Sequence, residues 1–276
     1  MFLDAVIQIL QELFEAALLV SVLLALHQQL ATAGHPGAAL PTAWFWVAIA
    51  AGIVGSICYA LAMPAVSEWF DYVGQEVTNA VMQLTVIASL FAYCLLLYRR
   101  RGRFAGYTLA AGVLLTVIVA FGITREGSEI ILYVKGIGDS PTSVTPVLLG
   151  GGVAAGIGLS AGILLYFGLL QLPPVWGLRS TLGLLAMFAG NMASQAMLLL
   201  NQADWLPATP QVWDSSSLLP EFSIAGQLLY GLVGYEANPS VLQVLAYLTA
   251  GLLIATTPLF RSSWQSAPAR EGGAVP

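Results

Sequence analysis

The chain has 276 residues, 58% of them hydrophobic and only 8% charged, with a mean hydropathy of +0.83. Soluble domains run about 25% charged and 45–50% apolar, so an ordinary cytosolic enzyme, a disordered tail and a disulfide-stapled secreted module are excluded. The net charge of −5 has the wrong sign for a nucleic-acid binder, and Cys58 and Cys94 sit in apolar runs without metal-type spacing.

A membrane helix needs roughly 20 mostly apolar residues. Seven stretches qualify: 3–26, 44–63, 76–98, 107–134, 144–170, 178–200 and 241–260. They predict an all-α integral membrane protein with a seven-helix membrane domain over 1–260 and a Ser/Pro/Ala/Gly-rich tail over 261–276, expected to be poorly ordered. The first stretch carries Asp4, no preceding Lys or Arg, and no small-residue cleavage site after it, so it is expected to stay in the mature protein. Between the sixth and seventh stretches, the apolar piece 222–235 is too short to span and is expected at the interface.

Basic residues give the orientation, because short cytoplasmic loops retain Lys and Arg. Arg99, Arg100, Arg101 and Arg103 follow the third span, Arg179 lies near the start of the sixth, and Arg261 and Arg270 follow the seventh. Seven spans put all of these on one side, so the N-terminus is expected outside and the C-terminus inside. Spans one to three and four to six would then form a 3+3 inverted repeat with one further span.

Charge inside a span is costly, at about 2.5–3.5 kcal/mol near the bilayer centre on insertion scales, and persists where it pairs or binds an ion. Glu12 and Glu15 lie in the first span, and Arg125, Glu126 and Glu129 in the fourth. Each glutamate pair has helical three-residue spacing, which projects both carboxylates from one face. With the two helices antiparallel, the pairs reach similar depth. Glu76 and Asn79 repeat the spacing at the outer end of the third span and could form an entrance. A salt bridge with Arg125 accounts for one glutamate, not four. Oxygen-only ligands suit hard cations such as ferric iron, Mg, Ca or Mn.

Thr124-Arg125-Glu126-Gly127-Ser128-Glu129 resembles the Arg-Glu-Gly-x-Glu motif of the oxidase-dependent iron transporters, the family of the high-affinity iron permeases. Gln11-Glu12-Leu13-Phe14-Glu15-Ala16-Ala17-Leu18 resembles the family's first such segment, and Gly234-Tyr235-Glu236-Ala237-Asn238-Pro239-Ser240 another signature. The resemblance implies iron import across the plasma (inner) membrane, with Glu12, Glu15, Glu126 and Glu129 binding the metal and Arg125 as the motif's arginine. It also implies Glu76 as the first member of an acidic pair whose second position is Asn79 here, and an extracytoplasmic oxidase, peroxidase or iron-delivery partner. Iron is expected as cargo, with no built-in cofactor and no enzymatic role. Gln11 stands where the family has arginine and Leu13 where it has glycine, which removes a local counter-charge and a site of close helix approach. Those changes keep two alternatives open: transport of lead or manganese, and a non-transporting sensor or assembly subunit.

The remaining features read as packing or surface. Gly152-x-x-x-Gly156 and Gly158-x-x-x-Gly162 read as helix-approach motifs, and Asn191 and Gln195 as either pathway or interhelical hydrogen bonds. His27 and His35 read as loop residues. Trp44, Trp46, Trp69, Trp176, Trp205 and Trp264 read as interface anchors. Asp204, Asp214, Glu221 and Glu236 make an acidic outer loop.

Overall fold

A computed structural model describes residues 2–32, 40, 43–98, 107–137, 141–221 and 223–257, which form nine helices. These are α1 (Phe2–Thr32), α2 (Ala43–Ser67), α3 (Trp69–Tyr72), α4 (Gly74–Tyr98), α5 (Tyr107–Ile137), α6 (Pro141–Gln171), α7 (Pro174–Gln202), α8 (Ile224–Val233) and α9 (Val241–Thr256). Six of them, α1, α2, α4, α5, α6 and α7, are long and apolar enough to cross a membrane.

The expected seventh span, 241–260, is described as the 16-residue helix Val241–Thr256, with 258–260 outside the described residues. At ~1.5 Å per residue it reaches about 24 Å, short of a ~30 Å hydrocarbon core. Arg99, Arg100, Arg101, Arg103, Arg261, Arg270, His35, Trp264 and the tail 261–276 also lie outside the described residues.

Helix boundaries follow local chemistry. Pro173 and Pro174 separate α6 from α7, since proline cannot donate to the helix it interrupts but suits a first turn. Ser223 caps α8 by accepting from Gly226 N at 3.0 Å, and Ser240 and Gln243 close a capping box on α9. α8 ends on Gly234 at φ +71°, where Asn191 fills the space a side chain would need.

The central bundle is α1, α4, α5 and α7. Leu23 and Leu26 of α1, Leu90 of α4, Leu115 of α5 and Leu185 of α7 are fully buried in one cluster. α2 and α6 lie outside it, with Ile53, Leu61, Leu159 and Leu164 turned outward. Such an apolar perimeter is at home in lipid.

Two interfaces dominate, α1 with α6 and α2 with α5. Both run parallel: Gly150 meets Ala5, Gly158 meets Leu13 and Gly162 meets Ala17, while Gly52 meets Ile123 and Gly127 meets Ser56. Exchanging the first three long helices for the next three turns one of these interfaces into the other. Gly158 and Gly162 therefore pack as expected. Gly152 and Gly156 do not, because a Cβ at either would meet nothing. Trp44 is likewise no interface anchor: it is buried, edge-on to His27 at 6.0 Å. The short apolar piece before the last helix contains α8, which lies against α1, Gly231 meeting Phe14 and Glu15.

Candidate functional site

The intramembrane acids meet between α1 and α5, about 15 Å in from the end where α1 begins. Glu12, Glu126 and Glu129 each offer a carboxylate oxygen within 4.8 Å of the other two. Glu12 and Glu126 are buried, whereas the Glu129 side chain is 33% exposed. Glu126 Oε2 is buried without a hydrogen-bond donor. Three carboxylates gathered this closely stay ionised only with positive charge among them, and the acid-only donor set suits a hard metal ion.

Glu15 is not in that trio. It pairs with Arg125, whose Nη1 stands 3.7 Å from Glu15 Oε2 and 2.5 Å from Glu126 Oε1, while its Nε is 3.6 Å from Glu129 Oε1. One guanidinium thus serves acids from both motifs. In the first motif Gln8, rather than Gln11, supplies a donor, Nε2 to Glu12 Oε1 at 3.1 Å. The i,i+4 spacing of Gln8 and Glu12 is the signal that could have found it.

The second motif's glycine has a visible use. A Cβ on Gly127 would collide with Ser56, whose hydroxyl is 2.8 Å from the carbonyl oxygens of Gly52 and Ile123. In the first motif the size relation is reversed: Leu13 occupies the motif position, and Gly158 on α6 leaves it room, a Cβ there lying 3.3 Å from Leu13 Cβ. The close approach expected to be lost with the glycine is kept by its neighbour.

Asn79 is buried and accepts from the Tyr59 hydroxyl at 3.0 Å; Glu76, one turn toward the helix start, is half-buried and outside the trio. Asn191 lines the small cavity beside Glu15 and Glu126, and both Asn191 and Gln195 form hydrogen bonds. Gln83 Nε2 donates to Gln195 Oε1 at 2.9 Å, Gln195 Nε2 to Asn191 Oδ1 at 3.1 Å, and Asn191 Nδ2 to the Tyr230 carbonyl at 3.3 Å. That chain ties α4 and α7 to the end of α8. Beneath the trio, a cavity of about 10 Å³ lined by Glu15, Leu19, Gly122, Glu126 and Phe188 has room for about one water.

Glu236, expected in a solvated acidic loop, is instead partly buried, held by Ser194 at 3.5 Å and by Gln243. Burial, with a smaller contribution from the Glu221 charge, pushes its carboxyl up to about 7 against the opposing effect of those hydrogen bonds. It closes a cavity of about 240 Å³ together with Trp213, Tyr235 and Tyr247.

Residues 2–260 match the model of the iron permease FTR1 family. Over 134 residues the chain is 27% identical to proteins named ferrous iron permease EfeU, covering 48% of this chain. The Shigella flexneri relative is covered over 57% of its length and the Escherichia coli O157:H7 relative over 48%, so the chain spans about half the length of the curated relatives it matches. No solved structure matches it.

Proposed function

The chain belongs to the iron permease FTR1 family, and on that premise we propose that it imports iron across the plasma (inner) membrane through the carboxylates of Glu12, Glu126 and Glu129. The observation that carries this reading is the convergence of three carboxylate oxygens from two helices within 4.8 Å of one another. Relatives named ferrous iron permeases favour the ferrous ion as cargo.

Glu12, Glu15, Glu126 and Glu129 together with Arg125 carry a formal −3 when ionised. Without cargo, Arg125 neutralises part of that charge from its position among Glu15, Glu126 and Glu129. Arriving metal competes with the guanidinium for Glu126 and Glu129, leaving Arg125 to Glu15. Inward release requires the floor of Leu19, Gly122 and Phe188 to part, since the space there admits about one water.

The matching α1–α6 and α2–α5 interfaces support a 3+3 inverted repeat with the site where the halves meet. In this reading α9 completes the membrane domain, the N-terminus faces outward, and an extracytoplasmic partner delivers iron to the end where α1 begins.

The test is uptake into proteoliposomes of purified protein, ferrous and ferric iron supplied separately, beside the Glu126→Gln/Glu129→Gln variant. Saturable uptake that disappears in the variant is expected. Equal uptake by both, with both folded, would sink the reading.

A further inference from the structure

Two tyrosines flank the carboxylate trio, and their surroundings differ. Tyr230 on α8 lies within electrostatic reach of Glu15, Arg125, Glu236 and Glu12, so an approaching cation meets the guanidinium on that flank. Tyr59 on α2 lies within reach of Glu129 and Glu76, with no base among the charges that act on it. Its hydroxyl donates to Asn79 Oδ1 at 3.0 Å, which leaves the phenol oxygen's lone pairs available. Glu129 is also the accessible acid: its side chain is 33% exposed against 4% for Glu126.

Helix packing fixes this flank. α2 runs parallel to α5, with Ser56 seated against Gly127, and Tyr59 follows one turn farther along, beside the turn that bears Glu129. Glu76 and Asn79 stand on successive turns of α4. The order from the helix ends inward is therefore a carboxylate, then a neutral amide–phenol pair, then the trio.

Extending the permease reading above, on which this rests, we propose that Tyr59 with Asn79 forms the threshold through which a hard cation passes from Glu76 to Glu129. A metal ion leaving Glu76 sheds hydration before it reaches the buried acids. The amide and phenol oxygens replace part of that shell without adding negative charge. Neutral oxygens hold the ion loosely enough to pass it on, as transit positions must. Tyr59 is thus a passage residue and not a ligand of the resting trio.

The test uses the purified full chain in detergent and ferrous iron alone under argon. Iron affinity is measured by equilibrium dialysis, and loading and release by rapid mixing, release being read with a ferrous chelator. In Tyr59→Phe, loading and release are both expected to slow about tenfold, the effect of one lost hydrogen-bond-grade contact in the barrier, with affinity unchanged. Asn79→Leu, which keeps the tyrosine and removes the amide oxygen, is expected to slow exchange in the same way and covers the case in which Tyr59→Phe fails to fold. Exchange at the unsubstituted rate in both variants would overturn the threshold. So would a weakened affinity in Tyr59→Phe, which would make Tyr59 a ligand, or a slowdown confined to Tyr230→Phe. If the unsubstituted chain binds no iron, the permease reading falls and the threshold with it. If it binds iron and exchange in the variants is unchanged, only the threshold falls.

Discussion

Arg125 on α5 reaches Glu15 on α1 at 3.7 Å, an ion pair that joins the two motifs across a helix interface. The same guanidinium faces Glu126 and Glu129, so a single cation holds three acids together. Removing one partner of a buried ion pair costs about 3–5 kcal/mol, because the other charge is left uncompensated.

Arg125→Gln should therefore unfold at lower temperature than the parent, by roughly 5–15 °C. Added metal should restore more of the lost stability in the variant than it adds to the parent. Thermal unfolding in detergent, with and without ferrous iron, reads both effects.

The four glutamates should not be equivalent. Glu126→Gln removes a member of the trio and should weaken metal affinity beyond the 10–100-fold typical of outer-shell losses. Glu15→Gln, outside the trio, should cost less than Glu12→Gln. Equilibrium dialysis of the three variants would expose the difference, and identical losses would count against the trio as the binding unit.

Leu13 and Gly158 should behave as a coupled pair. Gly158→Leu overfills the α1–α6 contact, where a Cβ alone lies 3.3 Å from Leu13 Cβ, and should cost about 1–3 kcal/mol. The reciprocal Leu13→Gly/Gly158→Leu protein should recover part of that loss, with a coupling energy of about 0.5–3 kcal/mol. A double-mutant cycle on unfolding free energies measures it.

Glu236 should make stability pH-dependent. Its folded carboxyl titrates at about 7, against an ordinary 4.5. Between those values the folded state binds more protons than the unfolded state, so stability falls as pH rises. The contribution is full below about 4.5, is lost as pH rises through about 7, and amounts to at most about 3 kcal/mol. Glu236→Gln should flatten that part of the profile, as unfolding midpoints collected from pH 4 to 8 would reveal.

The long spans were legible because runs of 20 or more apolar residues with few charges have one common solution in lipid. Their polar ends were not. α1 continues to Thr32, and within that extension Gln29 donates to the Leu169 carbonyl at 3.1 Å and accepts from Thr181 at 3.2 Å, contacts that no hydropathy window registers. The acid pairs were legible from charge cost and spacing. Glu15's separation from the trio was not, because residues three apart differ by about 60° around a helix and Arg125 draws one of them aside. α8 was legible as a short apolar piece, but its place beside Glu15 depends on the positive-φ Gly234 and the hydrogen bond from Asn191. Both are tertiary.

The exchange of bulk between Leu13 and Gly158, set against Gly127 and Ser56, has a consequence for recognising such chains by pattern. What the two crossings share is a single glycine in each facing pair, and either helix can supply it. A search keyed to glycine in each motif discards a chain that satisfies the same geometry from the opposite helix. A search that asks for one glycine in the facing pair, on either helix, would retain it.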